Sequence, residues 1–128
     1  MTTSEAFTTA AWQAYLEKDF ETAIELAQEC ISRWEAEAIE QQAALDKAPP
    51  IGTVTNEQKD EIFSYASLND VGTAYYIIAI SMEELGKIDE AKAAYQAAIE
   101  LPYARCWDPK GWFWSPAQVA QQNLAKLP

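Results

Sequence analysis

The chain contains no histidine, so the commonest general base and metal ligand is missing. Its 128 residues include two cysteines, too few and too differently placed for a disulfide framework or a metal site. Only four glycines occur, none in a phosphate-cradling loop, and no serine stands in a strained elbow motif. No run of eighteen apolar residues is present, so no membrane span is expected. The N-terminal stretch MTTSEAFTTAAW has neither a basic n-region nor an apolar core, so no secretory signal is expected. Ser4 is therefore expected to help cap a first helix, and a reducing cytoplasm is the expected compartment. Basic residues are also scarce, nine against twenty acidic ones, for a net charge of −11. A nucleic-acid backbone or an anionic lipid surface would find no basic stripe to pair with. The carboxylates fall mostly on outer helix faces, leaving Asp108 as the one acid among aromatic residues. No enzyme, no cofactor and no metal is expected.

What the chain does have is helix. Hydrophobic residues make up 49%, much of it alanine, which predicts a single all-α domain spanning residues 1–128 with one core. Residues 75–102, YYIIAISMEELGKIDEAKAAYQAAIELP, carry the clearest signal. Tyr75, Ile78, Ala79 and Met82 would line the inner face of one helix. Gly86 and Ile88 make a turn, and Ala91, Tyr95 and Ala98 form the buried stripe of the next. Pro102 stops it. Small residues where two helices cross, with larger ones around them, resemble the tetratricopeptide repeat. A weaker copy lies near the N-terminus, where Phe20, Ala23, Ala27 and Cys30 repeat the places of Ile88, Ala91, Tyr95 and Ala98. Phe7, Ala10, Ala11 and Ala14 would serve its first helix, and Lys18 replaces the turn glycine. Ala23 and Ala91 are 68 residues apart, twice the family's period of about 34. A middle copy fails, because Glu57 and Glu61 would have to be buried. The repeat-like units thus cover about 5–36 and 72–102, in an antiparallel helix-turn-helix array with elongated central helices.

Between the units, Ile24, Ala27, Ile31, Trp34, Ala38 and Leu45 recur at helical spacing with no proline or glycine from Glu21 to about Lys47. Such a helix would run roughly 40 Å, until Pro49 and Pro50 break it. Thr55 with Gln58 is a capping-box signature for the next start. That helix either continues through to the turn at Gly86 or kinks at Asn69-Asp70. The two long segments are expected to pack as an antiparallel hairpin.

Residues 103–115 form an aromatic loop holding Trp107, Trp112, Phe113 and Trp114, with a turn at Asp-Pro-Lys-Gly. Ser115, Pro116 and Gln118 read as N-cap, N1 and N3 of a cap helix over 116–127. The tryptophans either fill the gap between array and cap or present a binding platform, with Arg105 beside Trp107 as a hot-spot pair. Cys30 falls on a buried stripe, whereas Cys106 lies in the loop and is expected to be more accessible.

The resemblance implies a recognition module whose concave wall comes from the first helix of each unit. Carried over, that wall includes Thr8, Trp12, Tyr15, Thr73, Tyr76, Ile80 and Glu83. Family members that grip a peptide's terminal carboxylate use lysine and asparagine there; this chain has Thr8, Trp12, Tyr76 and Ile80, so that activity is not assigned. The reading is a small adaptor or scaffold that binds a protein or peptide segment, basic in character, through an apolar, acid-rimmed groove. The expected contacts are Trp12, Tyr15, Tyr76, Ile80, Glu83, Arg105, Trp107, Trp112 and Trp114. Two alternatives stay open. One is a cation or sugar binder built from the 105–114 segment with Asp108; the other is a homodimer or larger homo-oligomer joined through the exposed aromatics.

Overall fold

The computed structural model describes residues 1–128 as six helices and one small hairpin: α1 (Ser4–Leu16), α2 (Phe20–Ala44), α3 (Asn56–Ser64), α4 (Ala66–Glu84), α5 (Ile88–Ile99), β1 (Cys106–Asp108), β2 (Trp112–Trp114) and α6 (Pro116–Leu124). The architecture is an all-α, tetratricopeptide-like array. Two helix-turn-helix pairs are present, α1 with α2 and α4 with α5. Ala11, Ala23, Ala27 and Cys30 are fully or almost fully buried in the first, as are Ala79, Ala91, Tyr95 and Ala98 in the second. Alanine at these crossings lets backbones approach closely, while Leu68, Val71, Ile77 and Tyr95 supply the apolar volume. Burying each of these larger side chains contributes about 1.5–3 kcal/mol.

The turns show why glycine matters in one unit and is dispensed with in the other. Gly86 has φ +74°, and Lys18 adopts φ +62° at the equivalent place. Backbone N–H groups close both turns in the same way, Asp19 N donating to Ala14 O and Lys87 N to Met82 O. Lysine thus accepts a left-handed conformation that glycine occupies without strain.

The long helix α2 runs roughly 38 Å at 1.5 Å per residue and ends at Ala44, three residues short of the expectation. It packs antiparallel against α4. Ser67 Oγ donates to Glu37 Oε1 at 2.8 Å, Leu68 N donates to Gln41 Oε1 at 2.9 Å, and Tyr75 OH donates to Glu35. The capping box forms as expected, with Gln58 N donating to Thr55 Oγ1 and Thr55 N to Gln58 Oε1.

Three expectations need correction. The break between α3 and α4 falls at Tyr65, not at Asn69-Asp70. Asn69 instead supports the break: its Nδ2 donates to the Ile62 carbonyl, which also accepts the tighter-turn bond from Tyr65 N. Ser4 does not cap α1; Thr3 does, accepting from Ala6 N, while Ser4 Oγ donates to Asp70 across the helix pair. The aromatic loop is a two-stranded antiparallel hairpin pairing Cys106 with Trp114, Trp107 with Phe113 and Asp108 with Trp112. Gly52 extends it by exchanging backbone hydrogen bonds with Phe113. The turn itself lies where it was expected, with Gly111 at φ +111° and Asp108 Oδ1 accepting from Lys110 N.

Candidate recognition cleft

Helices α1 and α4 lie side by side and parallel, with Ser4 beside Asp70 and Trp12 beside Tyr76. Residues at helical spacing on each therefore make two adjacent stripes: Glu5, Thr8, Trp12 and Tyr15 on one, and Thr73, Tyr76, Ile80 and Glu83 on the other. The hairpin crosses this face. Its Trp114 packs on Trp12 and Tyr76, while Trp107 and Phe113 stack on Phe63 of α3. The face is thereby divided into two cavities that share Trp12 as a wall.

The larger is a cleft of about 510 Å³ lined by Trp12, Tyr15, Tyr76, Ile80, Glu83 and Trp114, and closed by Glu84, Tyr95, Asn123, Lys126 and Leu127. Its walls are aromatic pairs at preferred tilted and edge-on geometry. Tyr76 meets Trp114 at 5.3 Å and Trp12 at 6.2 Å between ring centres, and Trp12 meets Tyr15 at 6.2 Å. A small polar network ties the rings down. Tyr95 OH donates to Glu83 Oε1, and Asn123 Nδ2 of α6 reaches the hydroxyls of Tyr95 at 3.3 Å and Tyr76 at 3.5 Å. Burial, then the bond to Glu83, raises the Tyr95 phenol above its usual range; burial likewise raises Tyr76, against an opposing Asn123 contact. Tyr15 is raised by burial and by Glu84 and Glu83. All three hydroxyls stay protonated at neutral pH and remain donors.

The remaining sequence-derived contacts fall elsewhere. Arg105 is buried, not displayed: Nε and Nη2 donate to the Pro49 carbonyl, and Nη1 donates to those of Pro102 and Ala104. It clamps the post-α2 segment onto the hairpin. Trp107 lines the second cavity, with Lys59 Nζ 4.3 Å from its ring centre. Trp112 is 38% exposed at the hairpin edge, away from both cavities. Cys106, expected in an accessible loop, sits in β1 with burial pushing its thiol up to about 12, so the reactive thiolate is not populated. Cys30 is held up to about 12 in the same way.

Two features escaped the sequence reading. Tyr95 is a core position by its spacing, yet its hydroxyl reaches the cleft; one side chain serves both. Asp70, a kink candidate by sequence, instead has a carboxyl mostly withdrawn from water, and burial pushes it up to about 6. The signal was present: Asp70 continues the Thr73–Tyr76–Ile80 stripe one turn upstream.

Residues 73–102, spanning most of α4 and all of α5, match the family model for the tetratricopeptide repeat. Searches of curated proteins and of solved structures return no match. Tetratricopeptide repeats are in general protein-interaction modules without catalysis of their own, and no helix of this chain is long and apolar enough to cross a membrane.

Proposed function

We propose that this tetratricopeptide-like chain is an adaptor that seats an apolar or aromatic part of a protein segment in the cleft between α1, α4, β2 and α6. One observation carries the reading. Trp12, Tyr15, Tyr76, Ile80 and Glu83, drawn from two helices far apart in sequence, converge with Trp114 on one open cavity. Aromatic side chains already fixed by packing lose little freedom when a partner docks, which is where interface energy concentrates. Glu83 and Glu84 rim the cleft, and the net charge of −11 favours encounter with basic partners.

The alternative cation or sugar cage at Asp108 gains no support, because Asp108 closes the hairpin turn and Trp107 already faces the chain's own Lys59. The test is peptide selection from a random display library against the intact chain. Each winner is retested on Ile80→Glu and on the pair Trp12→Ala, Tyr76→Ala, with circular dichroism as the fold control. Ile80→Glu should weaken binding at least tenfold with helicity unchanged. Binding unaffected by Ile80→Glu would overturn the cleft assignment, and unfolding of the double variant would place both rings in the core. Light scattering separates self-association: a dimer surviving high salt would mean the aromatic surfaces meet their own copies.

A further inference from the structure

On the other side of Trp12 the same concave face holds a second cavity, of about 380 Å³. Glu5, Thr8 and Thr9 of α1 line it with Asp70 and Thr73 of α4, and Trp12, Phe63 and Trp107 wall it. Asp70 accepts a hydrogen bond from Ser4 Oγ at 2.5 Å. The Thr8 hydroxyl is committed to the Glu5 backbone carbonyl at 3.1 Å, while the nearby Glu5 carboxylate adds repulsion. The other titratable groups that sense Asp70 are the thiols of Cys30 from α2 and Cys106 from β1, both held neutral by burial.

No cation answers this carboxylate. The single ion pair in the chain joins Arg33 to Glu29, on α2. Arg105 also lines the cavity, but its guanidinium is committed to the carbonyls of Pro49, Pro102 and Ala104. Lys59 is engaged over Trp107 and Phe63 and does not line the space. Buried carboxylates are ordinarily matched by an opposite charge, and here the chain offers only a hydroxyl. Two acids facing an open space, with Trp12 as the wall ring that holds no cation of the chain's own, form the complement of a flat cation. A planar guanidinium satisfies both features, since it stacks on ring faces and forks onto carboxylates, which an ammonium does less well.

We infer that this second cavity is an arginine subsite, taking the guanidinium of a partner segment whose apolar residue occupies the cleft beyond Trp12. The inference rests on the cleft reading for the identity of the segment, and on this cavity's own chemistry for the arginine. The partner motif is then a bulky apolar residue close to an arginine, with Trp12 contacting both. Binding the cation would also relieve Asp70, whose midpoint should fall when the site is filled.

The test titrates N-acetyl-arginine methylamide into the isotopically labelled intact chain at pH 7.5, with the neutral citrulline derivative as control. Saturable shifts are expected at the amides of Glu5, Thr8, Thr9, Asp70 and Thr73 for arginine only. Glu5→Gln, at an exposed position, and Asp70→Asn, which keeps an acceptor for Ser4, should each weaken the probe by about tenfold. Affinity should fall as pH drops from 7.5 to 5. Equal response to the citrulline derivative, or no saturable shift at Asp70, would overturn the subsite. Occupancy of the main cleft by a selected peptide reads out separately at Ile80, Glu84 and Asn123, so either site can fail without the other.

Discussion

Asp70→Asn should make the protein more stable at neutral pH, although it removes a charge rather than adding a contact. The carboxyl is shifted from 3.8 to about 6, with burial outweighing the hydrogen bond from Ser4. Roughly two pH units at 1.36 kcal/mol each come to about 2–3 kcal/mol. The sign follows from proton counting. Between about pH 4 and 6 the folded protein holds a proton on Asp70 that the unfolded chain has released, so stability falls as pH rises through that window. The penalty is complete above about 6 and nearly absent below 4. An amide has no such titration, so the variant escapes it. Urea unfolding followed by circular dichroism at pH 4 and 7.5, on both proteins, measures the effect. With a slope of about 1–3 kcal/mol per molar urea, the variant's midpoint should lie about 1–2 M above wild type at pH 7.5. That gap should shrink to a few tenths at pH 4. Any offset from exchanging acid for amide is common to both conditions, so only the change between them counts. A gap that is the same at both pH values, or that reverses at pH 7.5, would refute the account of Asp70 as a desolvated and uncompensated carboxylate.

Other substitutions probe the frame that holds the site. Lys18→Gly should stabilise by about 0.5–1 kcal/mol and Gly86→Ala should destabilise by about 1 kcal/mol, since both positions have positive φ; thermal midpoints moving together would contradict this. A Cβ at Gly72 would stand 2.5 Å from that of Ala104, so Gly72→Ala should cost about 1–3 kcal/mol and be rescued by Ala104→Gly in a double-mutant cycle. Arg105→Ala leaves the carbonyls of Pro49, Pro102 and Ala104 without their donor. A loss of about 2–4 kcal/mol is expected, with faster proteolysis of the 45–55 segment as the readout. Ser81 Oγ is buried without a partner, so Ser81→Ala should be neutral or stabilising by up to about 1 kcal/mol in chemical denaturation.

The helix-turn-helix units were legible because their determinants are local. Ala91, Tyr95 and Ala98 recur at helical spacing, Gly86 supplies the left-handed turn, and Thr55–Gln58 and Ser115–Gln118 satisfy the first amides of their helices within four residues. Features set by distant contacts were not. Nothing near Tyr65 breaks a helix; the break is sustained by Asn69, whose Oδ1 also accepts from Arg105 N on the approach to the hairpin. The hairpin strands are three residues each, too short for an alternating pattern to show, and Phe113 depends on Gly52 for its outer pairing. Arg105 looked like a surface hot spot because the carbonyl of Pro49 that absorbs it is 56 residues away. For the site, the α1 and α4 stripes followed from helical spacing. That Trp114 joins them, and that α6 closes the cleft with Asn123, depends on how the hairpin folds back across the face.

The most direct measurement is an amide and indole shift map of the labelled intact chain with one library-selected peptide bound. The account predicts shifts centred on Trp12, Tyr76, Ile80, Trp114 and Asn123, with the outer face of α2 unmoved. Shifts gathered on α2 or on the Trp112 edge, with the cleft resonances in place, would contradict it.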